Sequence, residues 1–125
     1  IKKFIKYKKK VFKLYKNYLS NSKSIKINNV KNNIDSDYWI TSFQILNKKI
    51  SKEMICKEMK KYNIDIRPIF YPLSSMPPFK SKKNFKVKNP NSYEISKYGV
   101  CLPNGYDLNK KKIKFICDKL LGFIG

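Results

Sequence analysis

The sequence predicts an α/β domain: a three- or four-stranded sheet with helices packed mainly on one face. Three observations lead there. The run Tyr38 to Leu46 is rich in aromatic and β-branched residues and contains no breaker, as a half-buried strand requires. The two ends of the chain repeat apolar residues with helical spacing. Between them, Ile64–Arg67 and Gly99–Pro103 read as short strands, each meeting a proline. At 125 residues the chain suits one domain with one core.

Residues 1–19 place Ile1, Phe4, Ile5, Val11, Phe12, Leu14, Tyr15, Tyr18 and Leu19 mostly at i, i+3, i+4 and i+7, with Lys between them. This is an amphipathic helix with one face on something apolar. Packing on protein and lying on a membrane surface both fit the pattern, and packing fits a helix that heads a folded domain. Asn17 to Asp37 is a polar connector with one short strand at Ser24–Ile27. After the strand at 38–46, Asn47 to Ile50 turns the chain. Ser51 is placed to cap a helix that ends near Asn63, with Met54, Ile55, Met59 and Tyr62 along one face. Ile64–Arg67 is a strand that stops before Pro68, because a residue preceding proline avoids helix. Phe79 to Pro90 is a basic loop, Asn91 to Tyr98 a short helix and Gly99–Pro103 a strand. Asp107 or Asn109 caps a last helix whose buried side carries Ile113, Ile116, Cys117, Leu120 and Leu121. There is no internal repeat.

Composition removes several function classes. There is no His, which excludes an imidazole base or a His metal ligand. Cys56, Cys101 and Cys117 match neither a metal pattern nor a redox pair and read as small buried hydrophobes in a reducing cytosol. No metal is expected. The four glycines are isolated, so no phosphate loop is present. Asp35 and Asp37 fall in a connector, and Glu53 and Glu58 on an exposed helix face, where solvated charge is the plain reading. No apolar run reaches membrane length, and 1–19 is too basic for a signal core, so a cytoplasmic location is expected.

The net charge of +21 invites a polyanion partner. Lys, Asn and Ile together make 57 of the 125 residues, while Ala is absent and Arg occurs once. That bias fits an AT-rich genome, in which Lys stands where another organism has Arg, Gln or Glu. A nucleic-acid binder more often uses Arg for bidentate contacts. Nucleic acid is therefore not the expected partner.

Against that background the lone arginine, Arg67, stands out. It opens Arg67-Pro68-Ile69-Phe70-Tyr71-Pro72-Leu73-Ser74-Ser75-Met76-Pro77-Pro78-Phe79, a loop stiffened by proline and lined with aromatics. A stiff loop loses little entropy when it binds. Two roles are open to Arg67: gripping an anionic or carbonyl group with its planar fork, or bracing the loop through backbone carbonyls.

Several segments in order resemble the DegT/DnrJ/EryC1/StrS family of pyridoxal-phosphate-dependent sugar aminotransferases. Tyr15-x-x-Tyr18-Leu19 is similar to the end of the family's arginine-rich helix, Y-x-x-x-L. Tyr38-Trp39-Ile40 with Phe43 to Leu46 resembles the first strand of its small domain, and Ile50 to Arg67 the next helix. Phe70 to Phe79 resembles its F-x-P-x-H-x-x-P-x-Y loop, Pro90 to Pro103 the helix and "LP" strand that follow, and Leu108 to Ile124 the closing helix. The Arg-Pro-x-Phe-Tyr-Pro form and the Met-Pro-Pro stretch are most similar to the perosamine-synthase-like branch. Ser74 stands where many members carry His.

The resemblance implies the small C-terminal domain of a fold-type I enzyme, with 1–125 as one unit and 1–19 leading in from a pyridoxal-phosphate-binding domain that this chain lacks. The implied reaction moves an amino group from an amino-acid donor, glutamate being expected, to a nucleotide-linked keto sugar. Arg67, Phe70, Tyr71, Ser74, Ser75 and Met76 would face the nucleotide-sugar substrate. The Schiff-base lysine would lie elsewhere, so this chain alone is expected to be inactive, and the family implies a homodimer. Because the chain begins at Ile1 and not Met, a piece of something longer or a processed product is expected. A lysine-rich binding module and an inactive truncated product remain the other readings.

Overall fold

The structure is a computed structural model and describes residues 1–28, 30, 33–79 and 88–125. The expected basic loop at 79–90 falls largely outside the described residues. Helix α1 spans Lys2–Leu19, strand β1 Ile25–Ile27, strand β2 Ser42–Ile45, helix α2 Lys52–Lys60 and strand β3 Arg67–Pro68. Two short 3-10 turns follow at Leu73–Ser75 and Pro77–Phe79, then helix α3 Pro90–Tyr98, strand β4 Gly99–Cys101 and helix α4 Lys110–Ile124. The sheet is antiparallel throughout, in the order β1-β2-β4-β3. Phe43 pairs with Ile27 on one side and Val100 on the other. This is the expected α/β arrangement with four strands.

Strand alternation sets the layers. Ile25, Ile27, Phe43, Ile45 and Val100 are buried and meet α1, α2 and α4 in one core with Val11, Tyr15, Leu19, Ile55, Met59, Ile113, Cys117 and Leu120. The other side, marked by Lys26, Ser42 and Gln44, meets Ile95 of α3 and Ile69. The helices begin where the caps place them. Ser51 Oγ accepts from Met54 N at 3.1 Å, and Asn109 Oδ1 accepts from Lys112 N at 2.9 Å. Of the two caps the sequence allowed, Asn109 is used. Helix α2 ends at Lys60 and the turn after it closes at Asn63, whose φ of 56° is left-handed, with Asn63 N donating to Lys60 O and Ile64 N to Met59 O. Asparagine tolerates that conformation at a helix end.

Four expectations are corrected. The strand at 38–46 is shortened to Ser42–Ile45, because Tyr38 turns to a φ of 46° and breaks the extended run. Strand β3 is Arg67–Pro68, not 64–67, and runs through the proline. Proline is tolerated there because β3 is a sheet edge, where no ladder donor is needed. The last helix, where Gly122 is expected to loosen the end, instead continues through it to Ile124, which is buried. Met54 and Tyr62 are exposed, and α2 buries only Ile55 and Met59.

Thr41 is fully buried beside β2, and its Oγ1 has no hydrogen-bond partner. A buried hydroxyl without a partner is costly, whereas an apolar group of the same shape is not. Thr41→Val is expected to stabilise the domain by about 1 kcal/mol, read as a higher melting temperature.

Burial, aided by Asp118 and opposed by Lys114, pushes the Cys117 thiol up to about 12. Burial also raises the Tyr15 phenol. Both groups keep their protons in the folded state while the unfolded chain releases them earlier. The Cys117 contribution is whole below the ordinary thiol value near 9.0 and is lost as pH rises toward about 12. The slope is at most about 1.4 kcal/mol per pH unit for one group. Denaturant unfolding at pH 8 and pH 10 is expected to show a smaller loss for Cys117→Ala than for the parent chain.

Candidate functional site

The candidate loop is built from the sheet edge outward. Arg67 pairs with Cys101 and Pro68 with Val100, and Ile69 N donates to Gly99 O at 3.0 Å, continuing the ladder by one residue. Pro72 then fixes a turn. Its carbonyl accepts from Ser75 N at 2.8 Å and from Ser75 Oγ at 2.7 Å. Met76 N donates to Leu73 O and Phe79 N to Met76 O, each at 3.0 Å. Ser74 Oγ lies 3.2 Å from the hydroxyl of Tyr93, which ties the loop to α3. Lys52, at the start of α2, donates to Ser96 O at 2.8 Å, and its ammonium lies 5.7 Å from the Tyr71 ring.

This scaffold leaves large apolar side chains in water. Phe70 is 66% exposed, Tyr71 69% and Leu73 68%, and Phe79 is exposed as well. Trp39 joins them from the β1–β2 side at 69% exposure, its ring 6.3 Å from that of Phe70 with only 13° between the planes. Contiguous exposed aromatics mark a surface that meets a ligand or another protein surface.

The six residues singled out by sequence do not all share one surface role. Phe70 and Tyr71 stand out into solvent. Ser74 and Ser75 use their hydroxyls inside the loop, toward Tyr93 and Pro72, and Met76 is half-buried. Arg67 donates from Nε at 3.2 Å and from Nη2 at 2.9 Å to one carboxylate oxygen of Asp65. Both partners are exposed. Trp39, Lys52 and Tyr93 were missed: the aromatic run around Trp39 reads as plain strand, and nothing in the sequence points Lys52 or Tyr93 at the loop.

A separate cleft of about 730 Å³ lies between the end of α2 and the start of α4. Tyr62, Asp65, Asn104, Asp107, Lys112 and Phe115 are among its walls, and Lys112 pairs with Asp107 at 2.7 Å. No residue of the loop from Arg67 to Phe79 is among its walls, but Asp65, the partner of Arg67, is. Among the described residues no group of His, Cys, Asp and Glu could hold a metal ion, and no helix is long and apolar enough to cross a membrane. Cys56 and Cys101 are half-buried with thiols raised by burial, so neither carries the thiolate a nucleophile needs.

The fold is of the α/β class, with an aromatic loop displayed at one edge of its sheet. The comparisons sharpen this class. The sequence profile of the DegT/DnrJ/EryC1/StrS aminotransferase family matches residues 1–121, and the chain belongs to that family. It is 22% identical over 120 residues to the GDP-perosamine synthase of Escherichia coli O157:H7, covering 96% of this chain and 31% of that protein. Among solved structures, it superposes with a TM-score of 0.81 on the aminotransferase TlmJ from Streptoalloteichus hindustanus, at 10% identity, over 98% of this chain and 32% of that one. It superposes with a TM-score of 0.79 on a candidate sugar aminotransferase, Spr1654 from Streptococcus pneumoniae in its PLP form, at 16% identity, over 94% of this chain and 30% of that one. These structural likenesses show the fold. The chain spans about a third of the length of the relatives it matches.

Proposed function

We propose that this chain is the small C-terminal domain of a pyridoxal-phosphate-dependent aminotransferase, and that it lines the cleft in which a nucleotide-linked keto sugar receives an amino group from an amino acid, glutamate being the expected donor. The observation that supports it is the loop from Arg67 to Phe79, held at its base by β3–β4 pairing and by Ser74–Tyr93 while it displays Phe70 and Tyr71. In this reading the aromatics exclude water and orient the substrate, and Arg67 turns its fork from Asp65 to an anionic or carbonyl group. Ser74, Ser75 and Met76 shape the loop under them. The protein works as a cytoplasmic homodimer.

In this reading pyridoxal phosphate is not resident on this chain. Burial disfavours the ammonium of Lys8, which is engaged with the carbonyl of Asn104. Lys9, Lys61 and Lys114 are held protonated chiefly by hydrogen bonds to Asp35, Glu58 and Asp118. The cofactor in this reading is held by a domain outside the chain, and the chain alone does not transfer amino groups. Mixed with pyridoxal phosphate and reduced with borohydride, it is expected to give only scattered surface-lysine adducts. One stoichiometric adduct at a single lysine would overturn that division of labour. The reading as a whole is tested on the gene. A pyridoxal-phosphate-binding domain encoded upstream of Ile1, and amino transfer to a nucleotide-linked keto sugar by the whole product, are the expected results.

The polyanion reading needs lysines gathered on one face. Exposed lysines occur instead on α1 (Lys3, Lys6, Lys10, Lys13), α2 (Lys57, Lys60), α3 (Lys97), α4 (Lys110, Lys114) and the opposite side of β1 (Lys26). That spread fits a compositional origin for the charge.

A further inference from the structure

We infer that Trp39 and Phe70 form a stacking wall for the flat base of the nucleotide, and that Asn104 is the positioning residue that holds Trp39 in it. The inference rests on the nucleotide-sugar reading above and names the part of that ligand these residues meet.

The local backbone is unusual. Tyr38 adopts a φ of 46°, which is uncommon for a bulky residue and persists only where its surroundings hold it. Here they do. The Tyr38 ring stacks on Phe12 of α1, with centroids 3.7 Å apart and planes at 14°. The Asn104 side-chain amide donates to Tyr38 O at 3.2 Å and to Trp39 O at 2.6 Å. The loop that carries Asn104 is itself clamped to α1. Tyr7 Oη donates to Gly105 O at 3.0 Å and Leu108 O at 2.7 Å, Tyr15 Oη to Pro103 O at 2.9 Å, and Lys8 Nζ to Asn104 O. This network uses a strained residue and a chain of part-buried and exposed hydrogen bonds to send Tyr38 inward and Trp39 outward. A continuous strand through 38–41 would not leave Trp39 beside Phe70.

The wall is two aromatic rings, and Leu73 and Phe79 of the same loop carry no polar side-chain atom, so Tyr71 offers the one phenolic hydroxyl among these exposed side chains. A purine or pyrimidine presents a π-face that needs no such partner, and stacking on aromatics is tolerant of base identity. Tyr71, next in the chain after Phe70, has the Lys52 ammonium 5.7 Å from its ring, a positive charge that suits a phosphate.

Trp39 is the only tryptophan in the chain, so its emission reports on this wall alone. The chain is titrated with GDP, with UDP and with mannose 1-phosphate, and free N-acetyltryptophanamide corrects for collisional quenching. Saturable quenching by both nucleotides, weakened about tenfold in Phe70→Ala, is the expected result. Asn104→Asp removes the donor amide at nearly constant shape. It is expected to shift Trp39 emission and lose the nucleotide response while far-ultraviolet circular dichroism is kept. An Asn104→Asp chain that still answers nucleotides like the parent overturns the positioning role. Equal quenching by mannose 1-phosphate overturns the choice of the base. No saturable quenching up to the solubility limit of either nucleotide overturns the wall. Emission that depends on protein concentration, with a doubled mass and no nucleotide response, overturns it too and gives the patch to a second copy of the chain. In the whole protein, amino transfer unaffected by Trp39→Ala would sink the wall and leave the aminotransferase reading standing. Saturable quenching without any amino transfer would do the reverse.

Discussion

Gly99→Ala is expected to destabilise the domain by about 3 kcal/mol, at the upper end of what overpacking costs, and to lower its melting temperature by roughly 10 °C. Gly99 joins α3 to β4 without a connecting residue, and its own dihedrals are ordinary, with φ −87° and ψ 140°. The constraint is space. A Cβ there would stand 2.4 Å from Ile95 O and 2.6 Å from Ile69 Cγ2. The first is a backbone atom of α3, so relief requires moving the helix off the sheet. The second belongs to the residue whose N–H donates to Gly99 O and starts the candidate loop. The substitution is therefore expected to disturb the loop base together with the fold. Gly122 is the control: a Cβ there meets nothing within 4 Å, and it lies inside α4. Gly122→Ala is expected to stabilise by about 0.5–1 kcal/mol through helix propensity. Thermal melts of both variants check the pair. A Gly99→Ala chain as stable as the parent would show that α3 can shift freely.

Arg67→Lys is expected to leave stability almost unchanged and, in the whole enzyme, to reduce kcat/KM for a nucleotide-linked sugar tenfold to hundredfold. The two effects separate because of what Arg67 touches. Its hydrogen bonds go to Asp65, and that pair is 78% and 74% exposed. An exposed ion pair contributes about 0–1 kcal/mol, and lysine can keep part of it. A fork-shaped contact to a substrate anion or carbonyl is worth about 1.5–3 kcal/mol, and lysine cannot reproduce its geometry. At about 1.4 kcal/mol per decade, that range gives the stated loss. A clear drop in melting temperature with unchanged kinetics would instead make Arg67 a brace of the loop.

The elements of this fold were largely legible because their signals are local. Ser51 and Asn109 announce helices through side-chain caps that need only the next three residues. The α4 stripe of Ile113, Ile116, Cys117 and Leu120 is a periodicity within one helix. The candidate loop could be found too, since an arginine kept among 28 lysines and four prolines in eleven residues are compositional facts. The side chains that complete the site were not legible. Trp39 sits in a run whose aromatic and β-branched character favours strand, and that preference is overruled by Asn104, 65 residues away. Tyr93 and Lys52 come near the loop only because α3 and α2 are brought to β3 and β4.

By itself, then, the sequence determined the α/β class, the order of helices and strands, most of the core, and the loop worth studying. It did so through side-chain spacing and capping, which act within a few residues. Only the tertiary structure decided that Tyr38 turns in and Trp39 out, that β3 runs through Pro68, and that Arg67 rests on Asp65. It also decided that position 99 admits no side chain. Those outcomes depend on contacts between segments far apart in the chain: Asn104 with Trp39, Ile69 with Gly99, Cys101 with Arg67. Their energies arise from close packing and from hydrogen bonds that exist only once the layers have met, and no local pattern encodes them.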